Sequence, residues 1–105
     1  MEITNLFDLH NAAAAIDAIE TKNGLFSSRD FIEKFIHLFE SEYIDGLIQS
    51  RKEYETNVFR KYHCNIGSFL DKYSKEFNIK KMDGIKEESE APSGELSETQ
   101  VWIRL

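Results

Sequence analysis

The sequence predicts a mostly α-helical chain closed by a small β-hairpin, an α+β fold. Three observations carry this. Apolar residues recur every three or four positions in successive stretches between Leu9 and Phe77. "APSG" before the last strand puts proline second and glycine fourth, a type I turn signal. "TQVWIRL" then alternates, with Val101, Ile103 and Leu105 on one face and Trp102 and Arg104 on the other. With 105 residues, 41% of them hydrophobic and 12% aromatic, the chain suits a single domain, 1–105, able to bury a core without disulfides or metal.

The first helix is expected over "NAAAAIDAIETKNG", since alanine is the best helix former. Leu9, Ala13, Ile16 and Ile19 mark its buried face, Leu6 joins them, and Asn23-Gly24 supplies a left-handed stop. Leu25 and Phe26 form a short strand or plug the core. Ser27 with Asp30 resembles a capping box for the next helix. That helix carries Phe31, Phe35, Phe39, Tyr43 and Leu47 four apart, beside Ile32, Ile36, Ile44 and Ile48. A stripe this wide can bury one flank in its own domain and the other against a second subunit. Asp45-Gly46 is a place for the helix to loosen or end. "QSRKEYETNVFRKY" reads as a polar, then amphipathic helix, either separate or fused to the next one. Ile66, Leu70, Tyr73 and Phe77 mark a further helical face, with Asn65 as N-cap and Asn78 as left-handed end. The hairpin comes last, with a mobile acidic tip at 86–98.

Charge divides the chain into blocks. Net charge is −6 overall; residues 1–50 sum to −6 (three basic, nine acidic), 51–86 to +4 (nine basic, five acidic) and 87–105 to −4 (one basic, five acidic). A local basic face can bind phosphate on an acidic molecule, because salt limits the reach of distant charges to about 8–10 Å. The lone Cys64 allows no internal disulfide and points to a reducing compartment. No apolar run is long enough to span a bilayer, and "MEITNLFDLH" lacks a signal-peptide pattern, so a cytoplasmic location without membrane contact is expected.

This order of elements resembles a winged helix-turn-helix domain. Ile66, Leu70, Tyr73, Asn78 and Ile79 take the places of a recognition helix that ends and leads into an aliphatic strand. "NGLFSSRDF" resembles the family's first-helix exit, short strand and capped second helix, and "VWIRL" its last wing strand. The family has glycine where this chain has Asn78. Three further differences are a longer second helix, an extra polar segment before the recognition helix, and an acidic wing.

The resemblance implies double-stranded DNA as partner, read in the major groove by the helix from Asn65. Asn65 and Ser68 would meet bases, and Lys72 and Lys75 phosphates or guanine. Arg60, Lys61, Lys80 and Lys81 would anchor phosphates. Asp71 opposes phosphate unless it accepts from a cytosine amine. The same lysines also suit plain solubility on a wet helix face. Gly67 reads as a close backbone approach or as simple tolerance in a first turn.

Other chemistry finds little footing. His10, His37 and His63 lie far apart, and no Cys/His spacing fits zinc. Neighbours His63 and Cys64 lack the arrangement of a nucleophilic pair. No phosphate-cradling glycine loop occurs, and Glu87, Glu88 and Glu90 do not form a calcium loop. No cofactor, metal or enzymatic activity is expected. Two function classes remain: a DNA-binding transcription regulator, acting as a homodimer, or an acidic protein-interaction module with the same shape. Phe39, Tyr43, Leu47 and Trp102 would form the partner interface in either.

Overall fold

The computed structural model describes the backbone of residues 7–21, 23–90 and 96–105, and the side chains of these spans outside 83–99. The elements run α1 (Leu9–Ala18), β1 (Leu25–Ser27), α2 (Ser28–Leu38), α3 (Glu40–Glu53), α4 (Val58–Lys72), β2 (Ile79–Glu90) and β3 (Leu96–Arg104). The strands form one antiparallel sheet in the order β1-β3-β2. The α+β class is the one the sequence predicts. Among the described residues no helix is long and apolar enough to cross a membrane.

Asp8 starts α1, earlier than the alanine run suggests. Its carboxylate accepts from the backbone N–H of His10 at 2.7 Å and of Asn11 at 3.4 Å. Glu42 of α3 accepts from the Asp8 N–H at 3.0 Å and from Asn11 Nδ2 at 2.9 Å, tying the two helices together. Ala12, Ala15 and Ile16 are the buried face, and Leu9 is exposed instead of joining it. The helix stops at Ala18, short of Asn23-Gly24. That left-handed pair turns the chain into β1, where the Gly24 carbonyl accepts from Arg104 N–H at 2.8 Å. Leu6 lies outside the described residues.

The capping box forms as expected. Ser27 Oγ accepts from Asp30 N–H at 3.0 Å, and the Asp30 carboxylate accepts from Ser27 N–H at 2.9 Å. The expected long second helix, however, breaks at Phe39 (φ −134°, ψ 51°). A straight helix over 28–53 would run about 39 Å at 1.5 Å per residue, as long as the 38 Å longest extent of the molecule. The break lets both Phe35 and Tyr43 enter the same core. It leaves no backbone group of Phe39 unpaired, since its N–H reaches Phe35 O at 2.7 Å and its carbonyl accepts from Tyr43 at 3.1 Å.

Gly46 does not end a helix. It is buried within α3, against the ring of Tyr62 from α4. A Cβ there would lie 2.9 Å from Tyr62 Cε1 and Cζ, and closer still to the hydroxyl. The expected extra segment divides, and its amphipathic end is fused to the next helix, one of the two arrangements expected. Residues 49–53 complete α3, 54–57 turn, and α4 runs unbroken from Val58. Asn57, left-handed at φ 54°, precedes α4, and Asn65 sits mid-helix rather than at a cap. Ile66 and Leu70 are buried as expected, while Tyr73 and Phe77 fall beyond the helix end. Asn78 (φ 54°) turns the chain into β2 as expected, and its carbonyl accepts from Leu105 N–H at 2.8 Å.

The hairpin pairs Ile79 with Arg104 and, beyond an irregularity between Lys81 and Lys86, runs on to Glu90 with Leu96. Gln100 Nε2 bridges that irregularity by donating to Met82 O at 3.0 Å. Within the stretch expected as a mobile tip, 86–98, the backbone of 86–90 pairs with 96–100. The "APSG" turn and the side chains of Glu87, Glu88 and Glu90 lie outside the described residues. β3 is central, and Trp102 points into the core rather than outward. It is 1% exposed, and its Nε1–H donates to Ser28 Oγ at 2.9 Å. Around it the core is a mass of rings, with Phe7 stacked on Phe35 at 4.5 Å and edge-on to Phe69 at 5.7 Å.

Two glycines on facing helices should respond in opposite directions. Gly46→Ala forces Tyr62 from its place and should cost about 1–3 kcal/mol, as overpacking does. A Cβ at Gly67 meets nothing within 4 Å, so Gly67→Ala should stabilise by about 0.5–1 kcal/mol through helix propensity. Urea unfolding midpoints of the two variants check both signs.

Candidate nucleic-acid interface

α4 buries Tyr62, Ile66, Phe69 and Leu70 on one face. Helical spacing then places Lys61, Asn65, Ser68 and Lys72 in one row along a flank, at intervals of four, three and four residues. Ser68 and Lys72 are exposed, and Lys61 and Asn65 are half-buried. A second outward row holds Arg60, Cys64 and Asp71, with Gly67 among them. A carboxylate therefore stands on the outward ridge beside the basic row.

Tyr54, in the turn between α3 and α4, organises the start of that row. Lys61 Nζ lies over its ring, 4.8 Å from the centroid. Asn65 Nδ2 donates to its hydroxyl at 3.4 Å. Sequence periodicity gives no hint of this role, because Tyr54 lies across a turn from both partners. At the far end Lys72 Nζ lies 5.7 Å from the centroid of Tyr73.

The other expected anchors spread away from α4. Lys75 is exposed in the turn after the helix. Lys80 and Lys81 are both exposed on β2, but consecutive strand residues point to opposite sheet faces. They cannot both extend the α4 row. β2 is also an edge strand, where lysines block unwanted pairing with other chains.

The four residues expected at a partner interface turn inward. Tyr43 and Trp102 are buried, and Phe39 and Leu47 pack half-buried against the core. The break at Phe39 and the central place of β3 account for this. The apolar surface that α3 does expose is the neighbouring ridge, Ile44 at 41% and Ile48 at 48%.

Behind α4 lies a polar chain. Tyr62 Oη donates to Tyr43 O at 2.6 Å, and the Tyr43 hydroxyl and His63 Nε2 share a hydrogen bond at 2.9 Å. Burial raises the pKa of both tyrosines, so both hydroxyls stay protonated. Burial, with the Arg29 charge nearby, lowers His63 to about 4. The imidazole is neutral, and with its proton on Nδ1 it accepts the Tyr43 hydrogen at Nε2. Among the described residues no three His, Cys, Asp or Glu side chains gather to hold a metal ion. Comparison with protein families, curated proteins and solved structures finds no match for this chain.

His63 should leave a mark on stability. Its folded pKa lies below the ordinary 6.5, so the unfolded chain binds the proton more tightly. The contribution is present in full above pH 6.5 and fades as pH falls towards about 4. The parent's urea midpoint should therefore drop between neutral pH and pH 5 more than that of His63→Gln, whose amide still accepts from Tyr43. Equal drops would show that His63 titrates normally in the fold.

Proposed function

We propose that this chain is a winged-helix-type DNA-binding protein, a regulator of transcription that presents α4 to the major groove. The row Lys61, Asn65, Ser68 and Lys72, beside the buried face of α4, carries this reading. The surrounding architecture supports it. A short strand precedes α2, a four-residue turn joins α3 to α4, and a hairpin closes the chain, with sheet order β1-β3-β2.

The reader's start moves with the helix boundary. First-turn residues of a recognition helix meet base edges, and here those positions are Arg60 and Lys61, not Asn65. Lys72 lies twelve residues from Arg60, about 18 Å along the axis. One end can read bases while the other rests on phosphates flanking a groove about 12 Å wide. Ser68 faces the space between. Lys61 arrives already held over Tyr54, which reduces the ordering its long side chain must undergo on binding. The exposed Ile44 and Ile48 favour a second reading, a protein-docking module of the same shape.

Salt titration of binding to a mixed-sequence duplex separates the two. The parent should bind at low salt and weaken steeply as salt rises. Lys61→Ala with Lys72→Ala should weaken binding, and loss of the Lys72 phosphate contact should reduce the slope of log affinity against log salt by about 0.9. Far-UV circular dichroism would confirm that the fold survives. A parent that ignores DNA at low salt, or a variant with an unchanged slope, removes α4 as the reader.

A further inference from the structure

We propose that two copies of this chain associate through α3, packed antiparallel across a two-fold axis with Ile44 and Ile48 at the centre. The inference is independent of DNA binding. Tyr43, Gly46 and Ser50 form the buried side of α3, and helical spacing turns Ile44 and Ile48 to its opposite side. They are 41% and 48% exposed, one turn apart, so they form a continuous apolar ridge.

One flank of that ridge carries charges complementary to themselves. Glu40 opens α3 and Arg51 lies in its last turn; both are exposed. Eleven residues separate them, about 16 Å along the axis, too far to pair within one helix. A two-fold axis level with Gly46 sets Ile44 of one copy against Ile48 of the other. The same register brings Glu40 of each copy within one residue of the level of the other's Arg51. Glu40 and Arg51 also share a flank of the helix, and antiparallel two-fold packing apposes like flanks. One register thus satisfies both the apolar centre and two ion pairs. A parallel pairing would instead set Glu40 level with Glu40 and Arg51 level with Arg51, on opposite flanks, and make neither ion pair. An unrelated partner would have to supply this pattern anew, whereas a second copy already carries it.

A plainer role for these charges exists: an acidic first turn and a basic last turn complement the helix dipole. Charge exchange separates the two accounts. Sedimentation equilibrium on the full chain should give a dimer of twice 12.2 kDa. Ile48→Glu should weaken it about thirty-fold or more, as loss of a central interface anchor does. Glu40→Arg alone and Arg51→Glu alone should each weaken association, and the two together should restore it. The dipole account predicts the reverse, with the double variant the least stable in thermal unfolding and no recovery of dimer. A parent that stays monomeric at high concentration, a dimer indifferent to Ile48→Glu, or singles that the double fails to rescue would each overturn the proposal.

Discussion

The arrangement of this chain hangs on the ring of Tyr62 lying against Gly46. An amphipathic helix can roll on its neighbours, and a roll of one residue swaps a basic row for an apolar one. Here the roll is fixed. The ring is fully buried, and only the missing Cβ of Gly46 leaves room for it. Its hydroxyl must find an acceptor, because an unpaired buried donor costs about 1–3 kcal/mol. The acceptor is the Tyr43 carbonyl at 2.6 Å, on the facing helix. With Tyr62 set, Ile66, Phe69 and Leu70 fall onto the buried face, and Lys61, Ser68 and Lys72 have nowhere to go but outward. His63 adds a second tie to the same turn of α3 through the Tyr43 hydroxyl.

The far end of the chain closes the fold over this pair. β3 runs between β1 and β2, so a strand near the C-terminus joins residues 25–27 to the segment leaving α4. Two left-handed turns grip its end, through the carbonyls of Gly24 and Asn78. Trp102 drives the closure, since a ring this large with a satisfied N–H contributes much apolar burial at no polar cost. Its partner Ser28 opens α2, so the sheet and the second helix are fixed together.

Legibility in the sequence tracks how local each signal is. The Ser27–Asp30 box spans four residues and forms in full. Asn78 is equally local and lies where its residue predicts, and the two strands of the hairpin form, with pairing that runs on through 86–90 and 96–98 in the stretch expected as a mobile tip. The break at Phe39 has no such signal. No glycine, proline or asparagine marks it, and the four-residue ridge from Phe31 to Leu47 runs straight through. Only the size of the core forbids a continuous rod. Asn57 and Asn65 are both fit to precede a helix, and spacing alone does not choose between them. Alternation in "VWIRL" defines two faces but not which is inner; the placement of β3 between two strands decides that. Of the candidate interface, the row on α4 is legible through its period. Tyr54 is not, because its partners lie beyond a turn.

Charge placement depends on the same geometry. α3 spends one side on α4 and leaves the other to solvent, so a single rigid helix carries both the contact that orients the basic row and the ridge proposed for a second copy. If two copies meet at α3, the separation of their α4 helices is set by helix packing and not by a loop. That would give two basic rows a fixed spacing on an otherwise acidic body. Like charges of −6 repel at long range, and close-range pairing of Glu40 with Arg51, inside the screening distance of about 8–10 Å, would offset that repulsion at the proposed interface. There the net charge opposes approach, and the apolar ridge with its flanking ion pairs would have to outweigh it.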